Sequence, residues 1–371
     1  MGKTASSTIN FISSMKNLKL KDGDVLRRQC VGIDVSKDKL TFCLCQNTEK
    51  DQHFYSKPME CKNTEEGFEF IIAWSGKEVD DSAPYSFLME TTGCYHESLA
   101  IHLASKGLTV HVVHANKAKD FARLNGCRTK TDPVDSRMLA RMGCDTSGLE
   151  PWPLPDEKYL RLREMSRFDE QMEKSLTQTK CWIEAVKHSG IVDKEILSEH
   201  KKMLKSTKAL QKKNRSRMEK LVAGDESLSK DVENMASIKG IGKKTAILVM
   251  AETLGFHQMT SAKQVASYAG LDVRREQSGK VDKKGRITKK GNAHLRAALY
   301  FPAMVASWSN PQLKEDYERI CRSHTQSKMI ALVALERKLL CLMYAVRKSG
   351  KSWDPEYGKV KSRDGEEEGK C

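Results

Sequence analysis

Four carboxylates and one hydroxyl are the side chains of this sequence whose types and spacing suit chemistry. Asp132 and Asp135 stand three apart in RTKTDPVDSRMLARM (Arg128 to Met142), a stretch that is basic at its entry. Asp34 interrupts the apolar run VGIDV (Val31 to Val35), and Glu90 closes SFLME. An acid in or at the end of an apolar strand is disfavoured by propensity and costly when buried alone. Asp132 also reads as a helix N-cap, with Pro133 first in the helix and Asp135 third, acids that suit the positive end of the helix dipole. Residues three apart share a helix face, however, so the same start aims two carboxylates at one point. Four converging acids repel one another unless divalent cations sit among them. Mg²⁺ suits an all-oxygen set and keeps waters that a phosphate can displace. Two such ions about 4 Å apart would clamp a phosphodiester and stabilise its attacking and leaving oxygens. Solvated strand ends and ion pairs to the many Lys and Arg explain the same acids without any metal.

The hydroxyl is Ser278, in DVRREQSGKVDKKGRITKKGN (Asp272 to Asn292). Ser-Gly is a common turn pair, and a hydroxyl becomes a nucleophile only when a base, a metal or a positive field activates it. Arg274, Arg275, Lys280, Lys283, Lys284, Arg286, Lys289 and Lys290 surround it, eight cations within seventeen residues. That density fits a phosphate-binding face better than a solvated hairpin. Upstream, SIKGIGKKTAILVMAETLG (Ser237 to Gly255) resembles a helix-hairpin-helix, with a plain helix-helix turn as the alternative. Gly240 and Gly242 permit a tight turn whose backbone N–H groups meet a phosphate at a helix start, flanked by Lys239, Lys243 and Lys244. Arg296 completes the candidate nucleic-acid-binding set. His111 and His114 read as packing or surface residues.

Composition agrees with a polyanionic partner. The chain has 371 residues, 39% of them hydrophobic, enough for two or three cores. Lys plus Arg number 64 against 49 for Asp plus Glu, a formal charge of +15 that leans toward nucleic acid. The 11 cysteines form no CxxC and are scattered, which argues for reduced thiols rather than a disulfide framework or a zinc site. No apolar run reaches the roughly 18 residues of a membrane span, and the N-terminus lacks a signal-peptide core.

The elements that must hold these side chains follow from periodicity. Residues 1–28 read as a mobile arm. From 29 to 150 strands and helices alternate. CVGIDVSKDKLTFCLC forms two strands or a hairpin, YSFLMETTG and LTVHVVHA further strands, and the segments after them helices. This predicts a mostly parallel sheet covered by helices. PWPLPDE (Pro151 to Glu157) breaks the pattern. Residues 151–228 read as a helical coiled-coil linker. Leu162, Met165, Met172, Leu176, Ile183 and Val186, then Ile196, Met203 and Leu210 beyond a break at Ser189-Gly190, recur at spacings of three, four or seven. Two long helices result, as an antiparallel hairpin or a coiled coil between subunits. Residues 229–350 form a mainly helical domain with the glycine turn and the serine loop, and 351–371 a disordered tail.

In order and spacing, GIDVSKDKL, METTG, RTKTDPVDSRMLAR, GIGKKTA, SAKQVASYAGL and SGKVDKKGRITKKGNAHLRAAL resemble the DEDD-type insertion-sequence transposases, from about Val31 to Lys348. The resemblance implies an α/β RNase H-like (RuvC-like) N-terminal domain ahead of a helical transposase domain. It implies that Asp34, Glu90, Asp132 and Asp135 bind two Mg²⁺ ions, with Mn²⁺ as a substitute. Ser278 is implied to form a transient phosphoserine link to DNA. The implied partners are element-end and target DNA, a structured guide RNA, and further copies of the chain as dimer or tetramer, in the nucleoid-associated cytoplasm of a bacterium or archaeon, with no membrane. The sequence departs from the family at His114-Ala115-Asn116, where Asn-Pro is usual, and at Ser136, where Ala is usual. Two rival readings use the same residues. A RuvC-like junction nuclease that uses water needs the acids but not Ser278, and a non-catalytic nucleic-acid scaffold needs neither.

Overall fold

The structure, a computed structural model, describes residues 25–91, 93–278, 281–325 and 327–356, with backbone alone for 275–278 and 281–284. The expected arm up to residue 24, Lys280, and the expected tail from 357 lie outside the described residues. The chain divides into two compact units that meet at Leu154 and Pro155.

The first unit is a sheet between helices. Its elements are β1 (Leu26–Val35), β2 (Lys39–Thr48), β3 (His53–Tyr55), β4 (Met59–Lys62), α1 (Glu65–Glu78), β5 (Tyr85–Glu90), α2 (Glu97–Ser105), β6 (Val110–Val113), α3 (Ala115–Leu124) and α4 (Asp132–Asp145). Strand order is β3-β2-β1-β5-β6, with β4 also paired to β2. Among the described residues only β1–β5 and β5–β6 run parallel; β2 pairs antiparallel with β1, β3 and β4. The expected mostly parallel sheet is therefore a mixed one. Only Ser36 to Asp38 separate β1 from β2, a link that suits a hairpin and is far too short for a crossover. The strand also starts earlier than expected. Leu26 to Arg28, read as arm, already belong to β1, because Leu26 is buried and the Arg28 guanidinium donates to the Thr146 carbonyl at 3.2 Å.

Side-chain alternation gives the sheet two different faces. Val31, Ile33, Val35, Phe42, Phe87 and Met89 form one core with Phe68 and Ile71 of α1 and Leu99 and Leu103 of α2. Cys30, Cys43, Cys45 and Leu88 form the other with Met138, Leu139 and Met142 of α4. Alternation thus assigns Asp34 and Glu90, like Cys30 and Leu88, to the α4 face.

The second unit holds α5 (Glu157–Lys187), α6 (Lys194–Ala223), α7 (Glu226–Ala236), α8 (Lys243–Glu252), a 3₁₀ turn (Leu254–Phe256), α9 (Ala262–Tyr268), a hairpin of β7 (Val273–Ser278) and β8 (Val281–Ile287), α10 (Ala293–Ser309), α11 (Pro311–Ser323) and α12 (Lys328–Ser349). Asp156, Asp193, Asp225, Asn292 and Asn310 start α5, α6, α7, α10 and α11 by accepting backbone N–H groups at the N-cap. α5 and α6 are antiparallel: Asn214 Nδ2 donates to the Met165 carbonyl at 2.8 Å, Arg215 pairs with Asp169, and the rings of Trp182 and His200 meet near the tip. Leu162, Met172, Leu176 and Ile183 are buried as their spacing suggests, whereas Ile196, Met203 and Leu210 are exposed. α6 instead packs through Gln211, Asn214, Met218 and Val222. Its seven-residue stripe lies on a flank, and part of its inner face is polar and hydrogen-bonded. Tyr159, Leu162, Met218 and Val222 at the base of the hairpin join the core built by α7, α8, α10 and α12.

Residues 351–356, read as part of a disordered tail, are held in place. The Trp353 N–H donates to Ser237 Oγ at 2.8 Å, Gln312 Nε2 donates to the Pro355 carbonyl, and the Trp353 ring packs on the core. Among the described residues no helix is long and apolar enough to cross a membrane.

Candidate active site

Asp34 is the penultimate residue of β1 and Glu90 the last of β5, one step beyond the parallel Ile33–Met89 pair. Two carboxylates therefore leave neighbouring strands at their carboxyl ends. α4 crosses the same face at an unusually short range. A Cβ on Gly32 would fall 2.0 Å from the Ala140 nitrogen and 2.3 Å from the Ser136 carbonyl oxygen. Only glycine admits this approach, and it brings the first turn of α4, with Asp132 and Asp135, toward the end of β1. Thr131, not Asp132, is the N-cap, and its side chain makes no capping bond. The Val134 and Asp135 N–H groups donate to the Thr131 carbonyl instead. The expectation that Asp132 caps the helix thus fails by one residue, because the extended backbone turns helical at Asp132 itself.

The electrostatics show that these acids feel one another. The Asp34 carboxyl is pushed up to about 6 by burial first, then by Asp132, Asp135 and Glu90, against a smaller pull from Lys130. Asp135 is raised as well, by burial and by Asp132, with Lys130 opposing. Lys39 Nζ lies 2.9 Å from Asp132 Oδ2 and 3.0 Å from Glu60 Oε1, and both partners hold its ammonium above the usual lysine range. Thr41, the cross-strand neighbour of Asp34, is buried with its Oγ1 lacking a hydrogen-bond partner. Among the described residues no three His, Cys, Asp or Glu side chains are already drawn close enough to cage a metal ion.

Ser278 is the last residue of β7 and pairs with Val281 at the tip of the β7–β8 hairpin. Arg274 and Arg286 stand opposite each other and are exposed, as are Lys289 and Lys290. Arg275, Lys283 and Lys284 lie on the two strands, where only the backbone is described. Arg296 serves the hairpin root: its Nη1 donates to the Ala269 and Gly291 carbonyls at 2.8 and 3.2 Å. Asn292 Nδ2 donates to Glu252 Oε2 at 2.7 Å, and Arg167 grips both Glu252 oxygens at 2.9 and 3.0 Å. Glu252 is 1% exposed, so the serine hairpin is rooted on a buried carboxylate whose partner Arg167 reaches solvent. In the glycine turn, Gly240 adopts φ +103 against Ala306 and Gly242 caps α8. Lys239 is exposed, Lys243 lies 3.9 Å from Glu233, and Lys244 is 3.1 Å from Asp169.

Comparison with known proteins bears directly on this arrangement. A DEDD transposase family model matches residues 31–186, the stretch that holds all four acids, and a second, described as "Transposase IS116/IS110/IS902 family", matches residues 232–318, the stretch that holds Ser278. The chain belongs to this DEDD transposase family. It is 27% identical over 327 residues to a pilin gene-inverting protein of Moraxella bovis, covering 87% of this chain and 97% of that one. A pilin gene-inverting protein of Moraxella lacunata is also 27% identical, over 330 residues and the same shares. A Sinorhizobium fredii protein named as transposase y4rJ is 30% identical over 126 residues, covering 31% of this chain and 30% of that one.

This DEDD transposase is thus a DNA transposase/recombinase enzyme. DEDD transposases use divalent metal ions, and the residues present fit one. The donors are carboxylate oxygens, the choice of a hard cation. Asp34 is desolvated among like charges, and a buried hydroxyl beside it lacks a partner. The Lys39 ammonium already stands as a positive charge against Asp132. Sequence reasoning passed over Lys39, Glu60, Thr41 and Lys130. Counting the β1–β2 hairpin from Ser36 to Asp38 would have set Thr41 opposite Asp34, and Lys130 is two residues from Asp132.

Proposed function

We propose that Asp34, Glu90, Asp132 and Asp135 bind two Mg²⁺ ions, for which Mn²⁺ can substitute, and that Ser278 is the nucleophile of a DNA cutting and rejoining reaction. The observation that supports this reading is the state of Asp34, whose carboxyl is pushed up to about 6 by burial first and then by the charges of Asp132, Asp135 and Glu90. A set of like charges raised in this way is stabilised by a cation. The metal, when bound, neutralises charge on the scissile phosphate and on the oxygens that enter and leave it.

The chain's own residues then have separate tasks. The four acids would hold the ions and so set where the phosphate can sit. The Ser278 hydroxyl gives up its proton, its oxygen bonds to phosphorus, and the bond from phosphorus to one neighbouring sugar oxygen breaks. That sugar oxygen takes up a proton, and the strand end remains as a phosphoserine ester. Attack by the hydroxyl of another strand end reverses these steps and rejoins DNA. Arg274, Arg275, Lys280, Lys283, Lys284, Arg286, Lys289 and Lys290 neutralise the phosphates around the break. Lys239, Gly240, Gly242, Lys243 and Lys244 act as a helix-hairpin-helix on the backbone, and Arg296 braces the hairpin root.

The wider reading has residues 29–150 as a RuvC-like, RNase H-like domain, 151–228 as a helical coiled-coil linker, 229–350 as the transposase domain, and the chain assembled as a dimer or tetramer. A structured guide RNA from the same element joins the assembly, which works on DNA in the nucleoid. The relatives named for inverting a pilin gene support a recombinase, since inversion also needs strands cut and rejoined.

Ser278→Ala is the decisive variant. It should abolish the covalent protein–DNA species while DNA binding persists. A normal yield of that species would remove the serine from the mechanism. Loss of the adduct with cleavage intact would favour the junction nuclease that uses water.

A further inference from the structure

α6 carries more positive charge than any role above uses. Between Lys194 and Ala223 it has eight lysines and two arginines against three glutamates. The cations are not evenly spread. Lys201, Lys205, Lys208, Lys212 and Arg215 recur at spacings of four, three, four and three, which sets them on one helical stripe. The four lysines are exposed. The stripe runs along a flank distinct from the face that packs on α5, which is marked by Gln211, Asn214 and Met218. It differs too from the flank of Ile196, Met203 and Leu210. Lys208, Lys212 and Arg215 line a shallow groove together with Gln211, Ser216 and Glu219.

The stripe has a defined end. Asp169, 4% exposed, holds Arg215 at 2.7 and 3.1 Å, and the same carboxylate receives Lys244 at 3.1 Å. Glu173 takes part at both residues. Lys244 lies in the first turn of α8, directly after the glycine turn. A row of cations on α6 is thus joined, through one buried acid, to the lysines at a helix N-terminus suited to phosphate.

We infer that this stripe is a track for the backbone of duplex DNA that continues from the glycine turn along α6. The helical rise from Lys201 to Arg215 is about 21 Å, that of roughly six base pairs at about 3.4 Å each. The row bears no aromatic side chain on which an unpaired base could stack, so a single strand gains little from it. A straight helix flank set with lysines positions phosphates and reads no sequence. The inference rests on the DNA reading above, and it places binding on a helix outside the candidate residues named there.

The test is a salt titration of affinity for a long random-sequence duplex, for a short duplex and for a folded RNA. One variant carries Lys201→Gln, Lys205→Gln, Lys208→Gln and Lys212→Gln. A control removes four charges from the same helix off the stripe, with Lys202→Gln, Lys213→Gln, Arg217→Gln and Lys220→Gln. Thermal melting confirms that both fold. The slope of log affinity against log salt should fall by roughly 3 to 4 for the stripe variant on the long duplex, from about 0.9 per lost contact. It should move much less for the control or for the short duplex. Equal losses in both variants would reduce the effect to net charge and overturn the track. A loss confined to RNA would overturn the assignment to DNA. A wild-type chain that binds no duplex at all would instead defeat the DNA reading itself.

Discussion

Lys39 Nζ lies 2.9 Å from Asp132 and 3.0 Å from Glu60, so the acid that opens α4 already has an ammonium against it. Lys39 competes for the charge a divalent ion would bind, and Glu60 offers it a second partner when Asp132 is taken up. Lys39→Met should therefore tighten Mg²⁺ or Mn²⁺ binding, by roughly two- to fivefold on the scale of an exposed ion pair. Calorimetric titration reads this directly. Unchanged or weaker binding would show that Lys39 and the metal do not share Asp132.

Gly32 is the point where α4 crosses β1. Its missing side chain leaves room for the Ser136 carbonyl and the Ala140 nitrogen, which are backbone atoms and cannot swing aside. Gly32→Ala should destabilise the first unit by roughly 3 kcal/mol or more, and any protein that still folds should have lost its metal affinity. A melting curve like that of the wild type would mean that α4 tolerates displacement.

Glu252 is buried and bound by Arg167 and Asn292 at the root of the serine hairpin. Glu252→Ala strands the guanidinium and the amide. The guanidinium keeps access to water, since the Arg167 side chain is 38% exposed, so the expected loss is about 1.5–3 kcal/mol, the scale of hydrogen bonds to a charged group. Urea unfolding would measure it. A loss below ~1 kcal/mol would put the network on the same footing as a surface pair.

Glu336 on α12 is pushed up to about 7 from an ordinary 4.5, by burial. Below pH 4.5 the carboxyl is protonated both folded and unfolded and has no effect on stability. Between 4.5 and 7 the unfolded chain ionises first, so stability falls as pH rises, and the penalty is complete above 7. Glu336→Gln should stabilise the protein at pH 8 by about 3 kcal/mol and leave it unchanged near pH 4. Melting temperatures across that range decide it, and a pH-independent difference would refute the assignment.

The acids were legible because strands rarely carry Asp or Glu: Asp34 stood out in VGIDV, and alternation sets it on the same sheet face as Glu90. The direction of β2 was legible only in part, since CVGIDVSKDKLTFCLC allows two strands or a hairpin until the three-residue link is counted. The face of α6 was misleading. Ile196, Met203 and Leu210 keep a perfect seven-residue spacing yet stay exposed, while Gln211 and Asn214, unremarkable in sequence, make the contact with α5. Hydrogen bonding decided that face, and a hydrophobic pattern does not register it. Lys39 and Thr41 were invisible for a different reason: their importance comes from what lies across the strand and at the start of a helix almost a hundred residues away.

We propose that Asp34, Glu90, Asp132 and Asp135 form one metal site. Isothermal titration of Mg²⁺ into the wild-type chain at pH 8, beside Asp34→Asn and Asp132→Asn, tests it most directly. Saturable uptake of two ions by the wild type, lost or reduced to one ion in each variant while their melting temperatures hold, is the expected result. No uptake by the wild type, or uptake that both variants retain in full, would contradict it.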